Sequence, residues 1–174
     1  MRKKIVAGNW KCNTTVPSGV ELAEAVMKTV AENGDPEVQV VVCPPFVHLT
    51  KVVESVDNRR VQVGAQNCGA EAKGAFTGEV SAEMVKSTGA AFVILGHSER
   101  REYYGETSAT LNKKLFQVFA QGLTPIYCCG EPLSVREAGT QNDYVKKQLE
   151  ETIFQLSDAD FRKVVIAYEP IWAI

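Results

Sequence analysis

The chain has little of the chemistry that metals and cofactors call for. Only two histidines, His48 and His97, occur in 174 residues, far apart in sequence. The five cysteines, Cys12, Cys43, Cys68, Cys128 and Cys129, are odd in number and show no C-x-x-C spacing of metal type. They are expected as reduced thiols packed like small hydrophobes, with no disulfide framework, no zinc and no other metal. No apolar run approaches the ~18 residues of a membrane span. Neither sign of charge dominates: 19 Lys and Arg against 21 Asp and Glu leave a net charge of -2. That gives no electrostatic reason to expect nucleic acid or an anionic membrane surface as partner. The start, Met1-Arg2-Lys3-Lys4, is basic, yet Asn9 and Lys11 interrupt the apolar run behind it, so no signal peptide is expected and the cytoplasm is the default location. Also missing are the G-x-G-x-x-G and G-x-x-x-x-G-K-[ST] fingerprints that announce nucleotide sites in open doubly wound sheets.

What the chain does have is alternation. At 45% hydrophobic and 23% charged residues, it has an ordinary globular composition, with one domain over 1–174 as the default. Val/Ile-rich runs at 4–7, 38–42, 61–65, 92–95, 124–128 and 163–168 read as strands. Segments of helical period separate them. Ser18-Gly19-Val20-Glu21 is a capping box opening a helix that carries Leu22, Ala23, Val26, Met27 and Val30 on one face and ends at Gly34. Leu111, Leu115, Val118 and Phe119 form a second stripe closed by Gly122. A second box, Ser134-Val135-Arg136-Glu137, precedes Val145, Leu149, Ile153 and Leu156 along one more. Strand-helix alternation of this kind predicts βαβ units and a parallel α/β sheet.

Polar or reactive residues follow every strand: Asn9 and Lys11, Cys43 with Pro44-Pro45, Gln66-Asn67, His97-Ser98-Glu99, Gly130-Glu131, and Glu169. A site assembled from many strand ends is how a (β/α) barrel places its chemistry on one rim, so a barrel is predicted over an open sheet. The last strand, 163–168, reads as buried on both faces, and Pro170 holds the preceding Glu169 extended. A stiff carboxylate at a strand's end suits a general base; an ion pair at the rim is the plainer reading. Asn9 and Lys11, two apart in a locally extended chain, would face the same side and suit an anionic substrate, although a solvated lysine and a turn asparagine account for this spacing better. His97 stands where Ser98-Glu99-Arg100-Arg101 could open a helix, whose N-terminal dipole favours a neutral imidazole able to donate to a carbonyl. A structural histidine fits that position about as well.

Several stretches together carry a resemblance. Ala7-Gly8-Asn9-Trp10-Lys11-Cys12-Asn13, Gly64-Ala65-Gln66-Asn67, Gly74-Ala75-Phe76-Thr77-Gly78-Glu79, Gly96-His97-Ser98-Glu99-Arg100-Arg101 and 167–174 (AYEPIWAI) resemble the triosephosphate isomerase family, in order and at its spacing. The resemblance implies an α/β (β/α)8 TIM barrel, here truncated to about six β/α units. It further implies interconversion of dihydroxyacetone phosphate and D-glyceraldehyde 3-phosphate through an enediolate, a step of glycolysis and gluconeogenesis that uses no cofactor. The division of labour already known for that family makes Glu169 the base and His97 the electrophile. Lys11 and Asn9 match the residues that bind substrate and balance its developing charge. Glu99 and Cys128 match positions beside the site. The loop from Asn67 to Glu79 is long, and its tip Ala75-Phe76-Thr77 is apolar for a free surface. In the family this loop inserts into a second subunit beside the loop bearing Lys11 and Cys12, so Phe76, Thr77 and Cys12 are expected at a homodimer contact. Packing of Phe76 on its own barrel is the alternative.

The sequence departs from the family in length. A complete barrel of this kind takes about 250 residues, and this chain ends just after Pro170, so the domain is expected to be incomplete at its C-terminus. The family's glycine-rich phosphate loops lie in the part that is missing. Activity of the 174 residues alone is therefore expected to be impaired, and a non-catalytic, dimerising fragment is the alternative function.

Overall fold

The computed structural model describes residues 3–174; Met1 and Arg2 of the basic start lie outside the described residues. Strands β1 (Lys4–Asn9), β2 (Val38–Cys43), β3 (Val61–Ala65), β4 (Phe92–Leu95), β5 (Thr124–Cys129) and β6 (Val165–Tyr168) form one sheet in chain order. Every neighbouring pair is parallel. The crossovers carry α1 (Val16–Asn33), α2 (Leu49–Ser55), α3 (Ala82–Ser87) and α4 (Ser98–Tyr104), then α5 (Ser108–Ala120), α6 (Leu133–Glu137), α7 (Gln141–Glu150) and α8 (Asp158–Phe161).

Alternation along the strands sorts side chains into two cores. Val42, Val63, Val93, Leu95, Tyr127 and Cys129 face the helices and pack with Ala23, Leu111, Leu115 and Val118. The opposite face holds Val41, Cys43, Phe92, Ile94, Ile126 and Cys128. Ile5 of β1 and Val165 and Ala167 of β6 reach this same inner cluster from the two ends of the sheet, so the sheet curls around it. The result is a half-barrel of the predicted α/β class: among the described residues β1 and β6 do not pair.

Three details differ from expectation. The cap of α1 is formed one turn earlier: Thr15 is the N-cap, and the Ser18 hydroxyl, at N3, accepts from the Thr15 N–H at 2.9 Å. The reason is Pro17, which suits the first helical turn and pulls the start forward. The long helix expected after Ser134 is two, α6 and α7, because Gly139 takes φ 70 and stops the first. Its stripe survives the break, since Val145 and Leu149 still pack against the core cluster that contains the buried Ile153. Finally, β6 starts at Val165 and is not buried on both faces. Its outward residues Ile166 and Tyr168 are exposed, as is Val6 of β1. Each terminal strand has a sheet neighbour on one side only among the described residues.

Candidate active site

The parallel sheet brings all six strand C-termini to one rim. Asn9 ends β1, and the chain turns at once. Lys11 adopts φ 54, and its N–H donates to Asn9 Oδ1 at 3.0 Å. The pair is thus not extended, as the spacing suggested; the Asn9 amide fastens the turn from which the lysine projects. Gln66, directly after β3, locks that turn from the other side by donating to the carbonyls of Lys11 (2.9 Å) and Cys43 (2.8 Å). A left-handed lysine is strained backbone and persists only where its surroundings over-determine it.

His97 follows β4 as the N-cap of α4 and is 6% exposed. Its Nδ1 accepts the Glu99 N–H at 3.2 Å. A nitrogen that accepts carries no proton, so this hydrogen bond assigns the ring proton to Nε2. Nε2 faces Glu169 Oε2 at 3.9 Å. Glu169 is carried by the end of β6, where its N–H donates to the Cys129 carbonyl at 2.8 Å, and its side chain is 57% exposed. Lys11 Nζ lies 2.7 Å from Glu99 Oε1. The hydrogen bond to Glu99, opposed by partial burial and helped by the Glu169 charge, raises the lysine above its ordinary value and keeps it cationic. Lys11, His97, Glu99 and Glu169 therefore converge on one rim. Beneath them lies the Cys128 thiol, pushed up to about 12 by burial and then by the Glu169 charge, hence neutral and unreactive.

Glu131 was legible only as a polar residue after β5, and the structure gives it a larger part. It is fully buried and accepts from Tyr168 Oη at 2.9 Å and Trp172 Nε1 at 3.2 Å, with Arg136 Nη1 3.6 Å away. Its own carbonyl accepts the Ile171 N–H at 3.0 Å. Burial pushes this carboxyl up, but the Trp172 and Tyr168 hydrogen bonds outweigh that and hold it below the usual carboxylate range. One carboxylate thus ties down the segments on both sides of Glu169. Nothing in the spacing of Glu131 and Trp172 announces a pair that only the adjacency of β5 and β6 creates.

Gly130 beside it is required by close approach. A Cβ built there would overlap the carbonyl of Glu169. Gly130→Ala is expected to push the Glu169 segment outward and lower turnover by roughly a hundredfold, the scale of an ångström's misplacement, with the circular dichroism of the fold retained. Activity within a factor of two of the unaltered chain would show that the segment can yield without cost.

The remaining expected residues lie elsewhere. The 67–79 loop is braced at its base by Gly69 N–H to Val80 carbonyl (2.7 Å) and at its tip by Glu79 N–H to Phe76 carbonyl (3.0 Å). Phe76 is 48% exposed, Thr77 and Cys12 are exposed, and Met84 adds a further exposed apolar side chain nearby. Phe76 does not bury itself on its own sheet. Among the described residues no cluster of three or more His, Cys, Asp or Glu could hold a metal ion, and no helix is long and apolar enough to cross a membrane.

Known proteins share this arrangement of sequence. The family profile described as triosephosphate isomerase matches residues 4–174. A triosephosphate isomerase of Bacteroides fragilis is 54% identical over 174 residues, covering all of this chain and 68% of that protein. Those of Cytophaga hutchinsonii and Clostridium perfringens are 52% and 49% identical, again over the whole chain and 69% of theirs.

Proposed function

The chain belongs to the triosephosphate isomerase family, and we propose that it interconverts dihydroxyacetone phosphate and D-glyceraldehyde 3-phosphate by moving a proton between neighbouring carbons. This is an aldose-ketose isomerisation of glycolysis and gluconeogenesis. The observation that carries the reading is the opposition of His97 Nε2 and Glu169 Oε2 at 3.9 Å, with Nδ1 already occupied by a backbone N–H.

Glu169 removes the proton from the carbon next to the carbonyl. The electron pair left behind forms an enediolate, whose oxygen receives the His97 Nε2–H hydrogen bond. His97 then carries protons between the two oxygens, and Glu169 returns its proton to the neighbouring carbon. Lys11 holds the anionic substrate and balances the charge growing on oxygen. It must exchange its 2.7 Å contact with Glu99 for the substrate, and exposures of 37% and 42% leave that pair open to do so. Asn9 contributes by fixing the Lys11 turn, and Cys128 by keeping the floor beneath Glu169 uncharged. No metal or organic cofactor is needed, because base, electrophile and cation are all side chains.

For these 174 residues turnover is expected to be well below that of the longer relatives, since water reaches a base that is 57% exposed. Residues 1–174 are read as one domain, spanning 68% and 69% of the length of the first two relatives. The exposed Phe76, Thr77 and Cys12 support a homodimer, with the 67–79 loop of one protomer set against the Lys11 loop of its partner. A cytoplasmic location is supported by five free cysteines.

The test is to incubate the purified chain with dihydroxyacetone phosphate in D2O. Deuterium on the substrate carbon and glyceraldehyde 3-phosphate, both formed faster than in buffer, are expected. A folded chain giving neither would overturn catalysis by this polypeptide and favour the non-catalytic, dimerising fragment.

A further inference from the structure

We infer that Glu106, remote from the substrate, is a positioning residue for His97, acting with Arg101 as a charged clamp on the peptide groups of Gly96. The inference rests on the proposed role of His97 as electrophile.

Strand β4 ends at Leu95, so Gly96 lies beyond the sheet ladder. It takes φ 75, where glycine is least constrained, immediately before the imidazole that must be aimed. Its N–H donates to Glu106 Oε2 at 3.1 Å, and its carbonyl accepts from Arg101 Nε at 2.7 Å. A carboxylate at the N–H and a guanidinium at the carbonyl are each roughly twice as strong as neutral partners. Both charges are themselves fixed. Arg101 Nη2 donates to the Cys128 carbonyl and to Tyr127 Oη, each at 3.1 Å. The Glu106 side chain is 2% exposed, and its other oxygen accepts from Lys114 Nζ, which also donates to Asn67 Oδ1 at 2.8 Å. Arg100 Nε lies 3.7 Å from the same Glu106 oxygen.

Burying a carboxylate and a lysine is costly, and an apolar pair of similar volume commonly serves stability as well or better. The buried Glu106 carboxylate and the half-buried Arg101 do what an apolar pair could not: between them they fix both polar groups of one flexible residue, while Lys114 holds the carboxylate. The space is equally exacting. A Cβ on Gly96 would come within 2.7 Å of Arg101 Nη2.

The test is nuclear magnetic resonance on isotope-labelled 174-residue chain, with Glu106→Ala and Glu106→Gln compared with the unaltered protein. Three quantities are read: hydrogen exchange of the Gly96 amide, the His97 ring nitrogen shifts, and kcat and KM. In Glu106→Ala the Gly96 amide is expected to exchange at least about tenfold faster. The ring shifts should move from one tautomer toward a mixture, and kcat should fall roughly tenfold to a hundredfold with KM unchanged. Glu106→Gln should show smaller changes of the same kind, because a carboxamide presents one oxygen to two donors. A folded Glu106→Ala with unaltered Gly96 exchange and His97 shifts would overturn the inference. Should Glu106→Ala not fold, unaltered exchange and shifts in Glu106→Gln would do so. Ring shifts that move as expected, in a protein whose unaltered form shows no turnover, would support the clamp and overturn the isomerase reading.

Discussion

Glu169→Gln is expected to lower kcat by about 10³-fold relative to the unaltered chain, within the range for loss of a positioned general base. The amide has nearly the shape of the carboxylate, so the backbone bond from residue 169 to the Cys129 carbonyl and the Glu131 contacts on either side remain. What disappears is the basic oxygen 3.9 Å from His97 Nε2. The loss should fall on kcat, with KM little changed, because substrate is held by Lys11 and the histidine. Deuterium uptake from D2O should vanish in parallel, since exchange and isomerisation share the same proton abstraction. A variant retaining more than about a tenth of the parent's kcat would mean that another group is the base.

Lys11→Met is expected to cost about 10²- to 10³-fold in kcat/KM, the scale for removing one preorganised stabiliser of developing negative charge. Methionine preserves much of the side-chain length, and the turn that carries it is held by backbone and amide contacts from Asn9 and Gln66 that do not involve Nζ. The fold should therefore survive. Glu99, deprived of its 2.7 Å partner, remains 42% exposed and can be solvated. Unlike the Glu169 variant, this one should raise KM as well as lower kcat, because the ammonium acts on both the bound anion and the enediolate. An unchanged KM would place Lys11 outside the substrate's reach and leave it as a partner of Glu99 alone.

Much of this was written in the chain itself. Periodicity located all six strands to within two residues, because parallel strands covered by helices must be nearly continuous in Val and Ile. Asn9, Lys11, His97 and Glu169 stand among the polar residues that follow strand ends, but their roles came from the resemblance to the family, since the spacing of Asn9 and Lys11 alone favoured a solvated lysine and a turn asparagine. The helix boundaries were less legible. At α1 the early Pro17 set the start one turn before the serine box, and at Gly139 a left-handed residue split a stripe whose periodicity continues across the break.

The contacts that aim these groups were not legible: some join residues that neighbouring strands bring together, and others, such as those of Glu106, depend on how the chain folds back after α4. Gln66 bridges to Lys11 and Cys43, Glu131 gathers Tyr168 and Trp172, and Glu106 meets Gly96 and Lys114. Each is an ordinary polar residue in sequence and becomes distinctive only when buried beside a specific partner. The sequence by itself determined the α/β alternation, the rim on which chemistry gathers and the residue types available there. Only the tertiary structure decided that Lys11 is left-handed, that His97 presents Nε2 to Glu169, and that β6 lies half exposed. Strand and helix patterns arise from local periodicity and burial, which a linear chain encodes directly. Orientation at a site depends on hydrogen bonds, some between residues tens of positions apart and some within a single turn, whose geometry exists only once the chain has folded.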